Sequence, residues 1–327
     1  MPSGCGSPGL ASSVGERRSG HTRKNAVSID NGSAQAGPEF VSIIIPVYNG
    51  LPDLDEQLAG LAEQDYQGSY EVIVSDNGSK DGLREHISNH PLTSRLGLRY
   101  VDSSAKRGAP FARNNAAKVA KGEFLAFVDQ DDRVYPGWLS ALVRTAADYD
   151  AVSGALEVTS LNTPEVALSR PLPAPEDGFP THWLPYANGN NTSYWRSAFE
   201  KIGGYDEELI IAGDDVDISW RLQLAGLRFG HASDALVAYR LRHDWDAAWQ
   251  QSVNYGYGAV QVYVKHRANG CPRLPWQATL QSLLMTVRHN PYIPLTRNRI
   301  PHGLWVLHAG VFVGRIRASL RYRTYYG

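Results

Sequence analysis

From residue 40 onward the chain alternates short apolar runs with amphipathic ones. Val41-Ser-Ile-Ile-Ile-Pro-Val47 is rich in β-branched residues and predicts a buried strand. Asp53 stands where it can cap a helix whose Leu54, Leu58 and Leu61 fall on one face. Glu71-Val-Ile-Val-Ser75 predicts a second strand, Leu98-Arg-Tyr-Val101 a third, residues 109–120 a helix, and Phe124-Leu-Ala-Phe-Val128 a fourth strand. Helices set between such strands imply parallel βαβ units and a doubly wound α/β sheet. After Pro136 the pattern weakens. Pro171, Pro173, Pro175 and Pro180 mark a loop of the kind that covers active sites. Order resumes over 190–202, with a helix over 214–225, short strands over 227–230 and 236–241, and a helical, aromatic remainder from Trp245. Residues 1–38, rich in Gly, Ser, Ala and Pro without an apolar period, predict disorder. The chain therefore divides into 1–38, a catalytic unit over 39–243 and an extension over 244–327.

Charge adds a second asymmetry. The net charge is −1, yet Asp246 is the last acidic residue and ten Lys/Arg follow it. An acidic body with a basic tail points to a polyanionic partner. Residues 303–314 are too short to span a bilayer but apolar enough to lie in one, and Arg315, Arg317, Arg321 and Arg323 follow. Residues 303–327 thus suggest an anionic membrane surface, the alternative being a helix packed on the body with an arginine-rich outer face. Nucleic acid is disfavoured, because the tail carries no module for it. Two cysteines, Cys5 and Cys271, suggest no disulfide framework. With no secretion signal or apolar run of membrane-spanning length, a cytoplasmic protein, peripheral at most to the membrane, is expected.

The candidate chemistry sits at strand ends and helix starts. Asp129, Asp131 and Asp132 follow the fourth strand at once. Carboxylates there are costly without a cation or hydrogen-bond donors, and ligands of open α/β sheets bind at that end. The plainer reading makes Asp132 an N-cap for a helix near Pro136. Asp76 could meet a base or ribose, or simply form the turn of Asp76-Asn-Gly-Ser79. Lys106, Arg107 and Arg113 could neutralise phosphate. Asp214, Asp215 and Asp217 open a helix, whose dipole favours acids; one or two suffice there, and a third is free to act as a base. Their mutual repulsion raises their pKa values while the helix terminus lowers them. His243, Arg240 and Arg242 could reach a metal or diphosphate. The sequons at Asn31, Asn77 and Asn191 are expected to be unused.

Five segments in order carry a resemblance: 42–49 (Ser-Ile-Ile-Ile-Pro-Val-Tyr-Asn), 72–82, 108–115 (Gly-Ala-Pro-Phe-Ala-Arg-Asn-Asn), 127–132 (Phe-Val-Asp-Gln-Asp-Asp) and 213–217 (Gly-Asp-Asp-Val-Asp). Together they resemble the family 2 glycosyltransferases over roughly residues 40–242. The resemblance implies a GT-A fold, a doubly wound, mainly parallel, Rossmann-like sheet with a helical C-terminal extension. It implies inverting transfer of a sugar from a nucleotide-diphospho-sugar, a UDP-sugar foremost, to an acceptor hydroxyl. By that likeness Pro46, Tyr48 and Asn49 line the nucleotide pocket, Asp76 contacts the base, and Arg113 sits near the nucleotide. Asp129 binds ribose or a metal-bound water, and Asp131 coordinates Mn²⁺ or Mg²⁺, with His243 a further candidate ligand. Asp215 is the base, and Asp214 stands where the family usually has Glu, one methylene longer. Two alternatives differ in class. A sugar nucleotidyltransferase needs a Gly-rich signature after the first strand, where Pro46-Val-Tyr-Asn49 stands. A non-catalytic sugar-nucleotide-binding or membrane-docking subunit would not need Asp76, Asp129, Asp131 and Asp215 together. The acceptor, whether polysaccharide, lipid-linked glycan or small molecule, is not encoded in any motif.

Overall fold

The computed structural model describes residues 36–179, 181–293 and 300–326. The stretch expected to be disordered lies almost wholly outside them, as do Cys5, the Asn31 sequon, Pro180, Arg297 and Arg299.

The first half runs β1 (Phe40–Val47), α1 (Asp53–Ala62), β2 (Ser69–Asp76), α2 (Leu83–Ser88), α3 (Thr93–Leu96), β3 (Arg99–Asp102), α4 (Ala109–Val119) and β4 (Phe124–Val128). β5 (Arg133–Val134), α5 (Trp138–Thr145), β6 (Ala151–Glu157), α6 (Pro164–Ala167), β7 (Asn191–Trp195), α7 (Arg196–Lys201), α8 (Asp214–Leu224) and β8 (Phe229–Ala238) follow. The extension adds α9 (Trp245–His266), α10 (Trp276–Arg288) and α11 (His302–Arg321).

One sheet holds all eight strands in the order β3-β2-β1-β4-β7-β6-β8-β5. β3, β2, β1 and β4 are parallel, as the spacing predicts. β7 is antiparallel to both β4 and β6, β6 is parallel to β8, and β5 pairs antiparallel with β8. Val41, Ile43, Ile45 and Val47 of β1 enter one core cluster while Ile44 enters the other, beside Ile73, Leu125 and Phe127. Both faces are covered, so the strand reads as a continuous apolar run rather than an alternation.

The second half departs from expectation in three places. The segment after Pro136 is regular: α5 buries Trp138, Leu139 and Leu142, and β6 is buried from Ala151 to Leu156. The two short strands expected near 227–241 are one strand, β8, with an irregularity. Gly154 pairs with Ala232 but Ala155 pairs with Leu236, so Ser233–Ala235 are extra residues in the register. Asp132 caps nothing; α5 starts after Gly137, and the Asp132 carboxylate turns inward instead.

The tail packs on itself and on the body, where a Cβ on Gly303 would lie 2.3 Å from the Ser169 Cβ. A Cβ on Gly256 of α9 would lie 2.0 Å from the Val311 carbonyl oxygen, and one on Gly314 of α11 would lie 2.1 Å from that of Val253. The two helices meet backbone to backbone, and Trp305, Val306, Ala309 and Phe312 are buried. Residues 303–314 are therefore unavailable to lipid, which corrects the interfacial reading of that stretch. Arg317 and Arg321 line the outer face. Among the described residues no helix is long and apolar enough to cross a membrane.

Candidate active site

β4 delivers Asp129 to the carboxyl edge of the sheet, where its backbone oxygen accepts from the buried Gln57 side chain, Nε2 to O 3.0 Å. Arg113, 4% exposed, rises from the first turns of α4. One guanidinium nitrogen of Arg113 donates to Asp129 Oδ1 and the other to Asp214 Oδ2, both at 2.8 Å. The same group faces the Tyr205 ring at 5.2 Å. Arg113 thus ties the end of β4 to the start of α8, two points 85 residues apart in sequence.

Asp214 and Asp215 open α8 after Gly213, whose φ of +90° is the left-handed region that glycine enters without strain. A Cβ there would also sit 2.6 Å from Val262 of α9. The Asp215 carboxylate accepts from its neighbour Val216 N at 2.8 Å and from Gly189 N at 3.2 Å. Asp217 faces the other way, fully buried against Arg221 Nε (2.7 Å), Lys265 Nζ (2.7 Å) and His266 Nε2 (2.8 Å). It anchors α9 to α8 and is no part of the cavity.

Burial decides the contest between helix dipole and mutual repulsion. Burial pushes Asp214 up to about 7, against Arg113 and with the help of the Asp215 charge. Asp215 is raised above the ordinary 3.8 by burial, opposed by its two backbone donors. Asp129 and Asp214 share the Arg113 guanidinium, and the Asp215 charge nearby adds to the cost of ionising Asp214. Asp217 goes the opposite way, down to about 2, because the hydrogen bond from His266 and the charges of Arg221 and Lys265 outweigh burial.

Asp131 is raised by burial and by the Asp129 charge, while Arg242 NH1 holds its Oδ2 at 3.0 Å. Asp132 is fully buried; Asn190 Nδ2 donates to it at 2.6 Å and Arg240 N at 2.9 Å, so it pins two loops under the site. Arg240 itself is paired with Glu56, and Lys106 with Glu207 and Glu208. His243 is exposed and makes no hydrogen bond or ion pair among the described residues.

The remaining candidates sit on the loops after β1 and β2. Pro46 is buried in β1, and Tyr48 is 52% exposed. Tyr48 N donates to Gln130 Oε1 at 2.8 Å, Asn49 N to Ser79 Oγ at 2.9 Å, and Lys80 N to Asn49 Oδ1 at 2.8 Å. Asp76 forms the turn and more: its Oδ1 accepts from Gly78 N and Ser79 N, and Tyr100 OH donates to Oδ2 at 2.7 Å. Asp76, Ser79, Arg84 and Tyr100 line a recess of their own. Asn77 and Asn191 are spent on hydrogen bonds inside the fold, which leaves neither sequon side chain free.

A separate cavity of about 560 Å³ brings together Arg113, Asp129, Asp214 and Asp215. Sequence reasoning did not identify the rest of its wall: Arg170, Tyr186, Asn188, Tyr239, Tyr255 and Arg315. The buried Asn188 Nδ2 has no hydrogen-bond partner and lines this cavity, a donor left for a ligand. The polar run Asn188-Gly-Asn-Asn191 beside a strand was the available signal.

Oxygen donors crowded at Asp129 and Asp131, with Asp131 disfavoured as a bare anion, suit a hard divalent cation. Asp55, His86 and His90 form another cluster of possible ligands, on the α1–α2 side. There His90 Nδ1 accepts from Leu92 N, so its proton is on Nε2, facing Asp55 Oδ1 at 3.3 Å. His86 Nε2 hydrogen-bonds the same Asp55 oxygen at 2.6 Å, and the set takes no part in the cavity.

Comparison with known proteins bears on the family and the fold. The Glycosyl transferase family 2 profile matches residues 42–203, and the Glycosyl transferase family group 2 profile residues 178–316. The glycosyltransferase AglE of Haloferax volcanii is 29% identical over 238 residues, 70% of this chain and 75% of its own. The pre-mycofactocin glycosyltransferase of Mycobacterium tuberculosis is 29% identical over 72% of this chain, which spans about half, 51%, of that relative. In fold, the chain resembles a mannosyltransferase of Pyrobaculum calidifontis solved with GDP-Man and Mn²⁺. The TM-score is 0.55 at 21% identity, covering 86% of this chain and 87% of that one. The sheet with its flanking helices is the GT-A fold, and the chain belongs to glycosyl transferase family 2 as a glycosyltransferase enzyme.

Proposed function

We propose that this enzyme transfers a sugar with inversion from a nucleotide-diphospho-sugar to an acceptor hydroxyl, with Asp215 as general base. The observation that carries the reading is the single cavity in which Arg113 joins Asp129 to Asp214 beside Asp215. The catalytic unit is 39–243, and the extension from 244 supplies part of the cavity wall through Tyr255, Val311 and Arg315.

The raised pKa of Asp215 suits a base, since a carboxylate held above its ordinary value takes a proton more readily than one at 3.8. Asp215 removes the acceptor hydroxyl proton as that oxygen bonds to the anomeric carbon. The bond from that carbon to the diphosphate breaks on the opposite face, and the nucleoside diphosphate leaves with the electron pair. Asp129 and Asp131 would hold Mn²⁺ or Mg²⁺, which when bound stabilises the charge on the leaving diphosphate. Arg113 holds Asp129 and Asp214 in place at 2.8 Å, so the site needs little rearrangement when substrate enters. The recess at Asp76 and Tyr100 is the place for the base, uracil foremost. Titrating UDP, dTDP and GDP calorimetrically, with and without Mn²⁺, tests this. Metal-dependent binding of one nucleotide supports it, and binding of none moves the chain to the non-catalytic reading.

A membrane contact fits the expected arginines of the tail but a different apolar face from residues 303–314. α10 buries no side chain, and Trp276 (62% exposed), Leu280, Leu283, Leu284 and Val287 form one exposed apolar face. The half-buried side carries Ala278, Ser282 and Thr286, an inversion of the usual helix arrangement. Exposed Arg273, Arg288, Arg317, Arg321 and Arg323, with no acid after Asp246, make an anionic lipid surface the matching partner at the inner face of a membrane. Co-sedimentation should occur with vesicles containing phosphatidylglycerol and be lost in Leu284→Glu; equal pelleting of both proteins would refute this contact.

A further inference from the structure

We propose that the acceptor is an anion, whose phosphate or carboxylate group is held by Arg170 and Arg315 in the cavity that contains Asp215. This deepens the glycosyltransferase mechanism above and rests on it.

The case begins with how the chain treats its sheltered arginines. Arg113 has two carboxylates, Arg221 has Asp217, and Arg240 has Glu56. Arg196 fills its guanidinium with the backbone oxygens of Ala117, Ala120 and Gly122. Arg170 and Arg315 break the rule, and both line the same cavity. Arg170 lies between the rings of Tyr239 and Tyr255, at 5.3 and 4.9 Å, and donates to Tyr255 OH at 3.2 Å; no carboxylate pairs with it. Arg315 makes no hydrogen bond or ion pair among the described residues. Its charged neighbours are none; His182, His308 and Tyr326 surround it, and burial lowers its pKa. A guanidinium drawn from water without an anion is unfavourable, and a chain that pairs the others leaves these two for something that enters.

The position is right for an acceptor. Tyr186 feels both Asp215 and Arg170, which puts Arg170 within electrostatic reach of the base. Tyr255 and Ala259 on α9, and Val311 and Arg315 on α11, stand one turn apart and face the cavity together. The glycine contacts of α9 with α11 set this spacing, which gives the basic extension a part in substrate choice. Guanidinium groups pair well with phosphate and carboxylate, Arg more selectively than Lys. The carboxylate end of the cavity repels the same anion, so an acceptor so held presents its hydroxyl to Asp215 and its charge to the arginines. Val262, Leu274 and Val311 leave an apolar wall beside Arg315 that a hydrocarbon attached to the anion could follow.

The test is calorimetric titration of the full chain with methyl phosphate, geranyl phosphate and acetate, each with and without saturating nucleotide and Mn²⁺. Phosphate binding that persists with the nucleotide site filled is expected. Arg315→Gln and Arg170→Gln should each weaken it at least ten-fold, and Arg315→Lys less, while nucleotide affinity stays within two-fold. Tighter binding of geranyl phosphate than of methyl phosphate identifies a lipid-linked anion; equal binding identifies a soluble one; preference for acetate identifies a carboxylate. Failure of all three anions to bind, or equal affinity in wild type and every variant, overturns the proposal. Nucleotide binding, read in the same experiment, separates that result from failure of the donor reading. Should Arg315→Gln lose nucleotide binding through misfolding, Arg315→Lys and Arg170→Gln carry the test.

Discussion

The loops after β1 and β2 differ sharply from the cavity beside α8 in how their polar groups are satisfied. In the first region nearly every side chain is paired within the chain: Asp76 accepts three hydrogen bonds, Asn77 makes three, and Asn49 bridges to Ser79 and Lys80. In the second, Asn188 Nδ2 and the Arg315 guanidinium have no partner among the described residues, and two carboxylates share one arginine. Self-satisfied loops are rigid surfaces against which a nucleotide can lie. Open valences mark where a ligand completes the protein. The same contrast recurs on one helix, where Asp214 is raised to about 7 and Asp217 lowered to about 2.

The sharpest way to break the contrast is to remove Arg113. Arg113→Ala leaves Asp129 and Asp214 without their partner, and loss of one member of a buried ion pair costs about 3–5 kcal/mol. Urea unfolding should show that loss in part, since Asp129 is 36% exposed and water screens it. Nucleotide affinity should fall with it.

Asp217→Asn should cost about 3 kcal/mol at pH 7, because His266, Lys265 and Arg221 lose their anion. The sign with pH follows from the depressed pKa: the stabilisation is full above the unfolded value near 3.8 and fades as pH falls toward about 2. Wild type and variant should therefore converge in stability below pH 3. Asp214 works in reverse. Its folded pKa lies above 3.8, so the folded state holds a proton that the unfolded chain has shed, and stability falls as pH rises from about 4 to about 7. Asp214→Asn should make that slope shallower, the raised carboxyls of Asp131, Asp132 and Asp215 supplying the rest; a variant with the full wild-type slope would refute the assignment.

Smaller again is the pH dependence of turnover. With Asp215 needed as an anion and its pKa raised by burial, kcat/KM should decline as pH falls toward the acid range, and a flat profile from pH 5 to 8 would count against Asp215 as the base.

Much of the fold was legible because β1, β2 and β4 are buried on both faces, and such strands have no choice but to be apolar throughout. β6 was missed because Ala151-Val-Ser-Gly-Ala155 is built of small residues that fit beneath Asn191 and carry little hydrophobic signal. β8 was split in two by its extra residues near Ser233. For the site, Asp129, Arg113, Asp214 and Asp215 were readable as acids and a base at element ends, and the fold gathers these four. Asp217 belonged to the same run of acids, but only packing against α9 reveals that it is structural. Arg170 was not singled out, and Arg315 was read only as part of the basic tail: an arginine's importance here lies in the partner it lacks, which no sequence pattern records.

The central claim is that Asp215 is the base in a site whose donor half binds without it. The direct measurement is release of nucleoside diphosphate from the nucleotide sugar that binds, compared in wild type and Asp215→Asn, with nucleotide affinity measured on the same samples. Loss of turnover by a factor of about 10²–10⁴, with nucleotide affinity within two-fold, is the expected result. Near-normal turnover in Asp215→Asn would contradict the account.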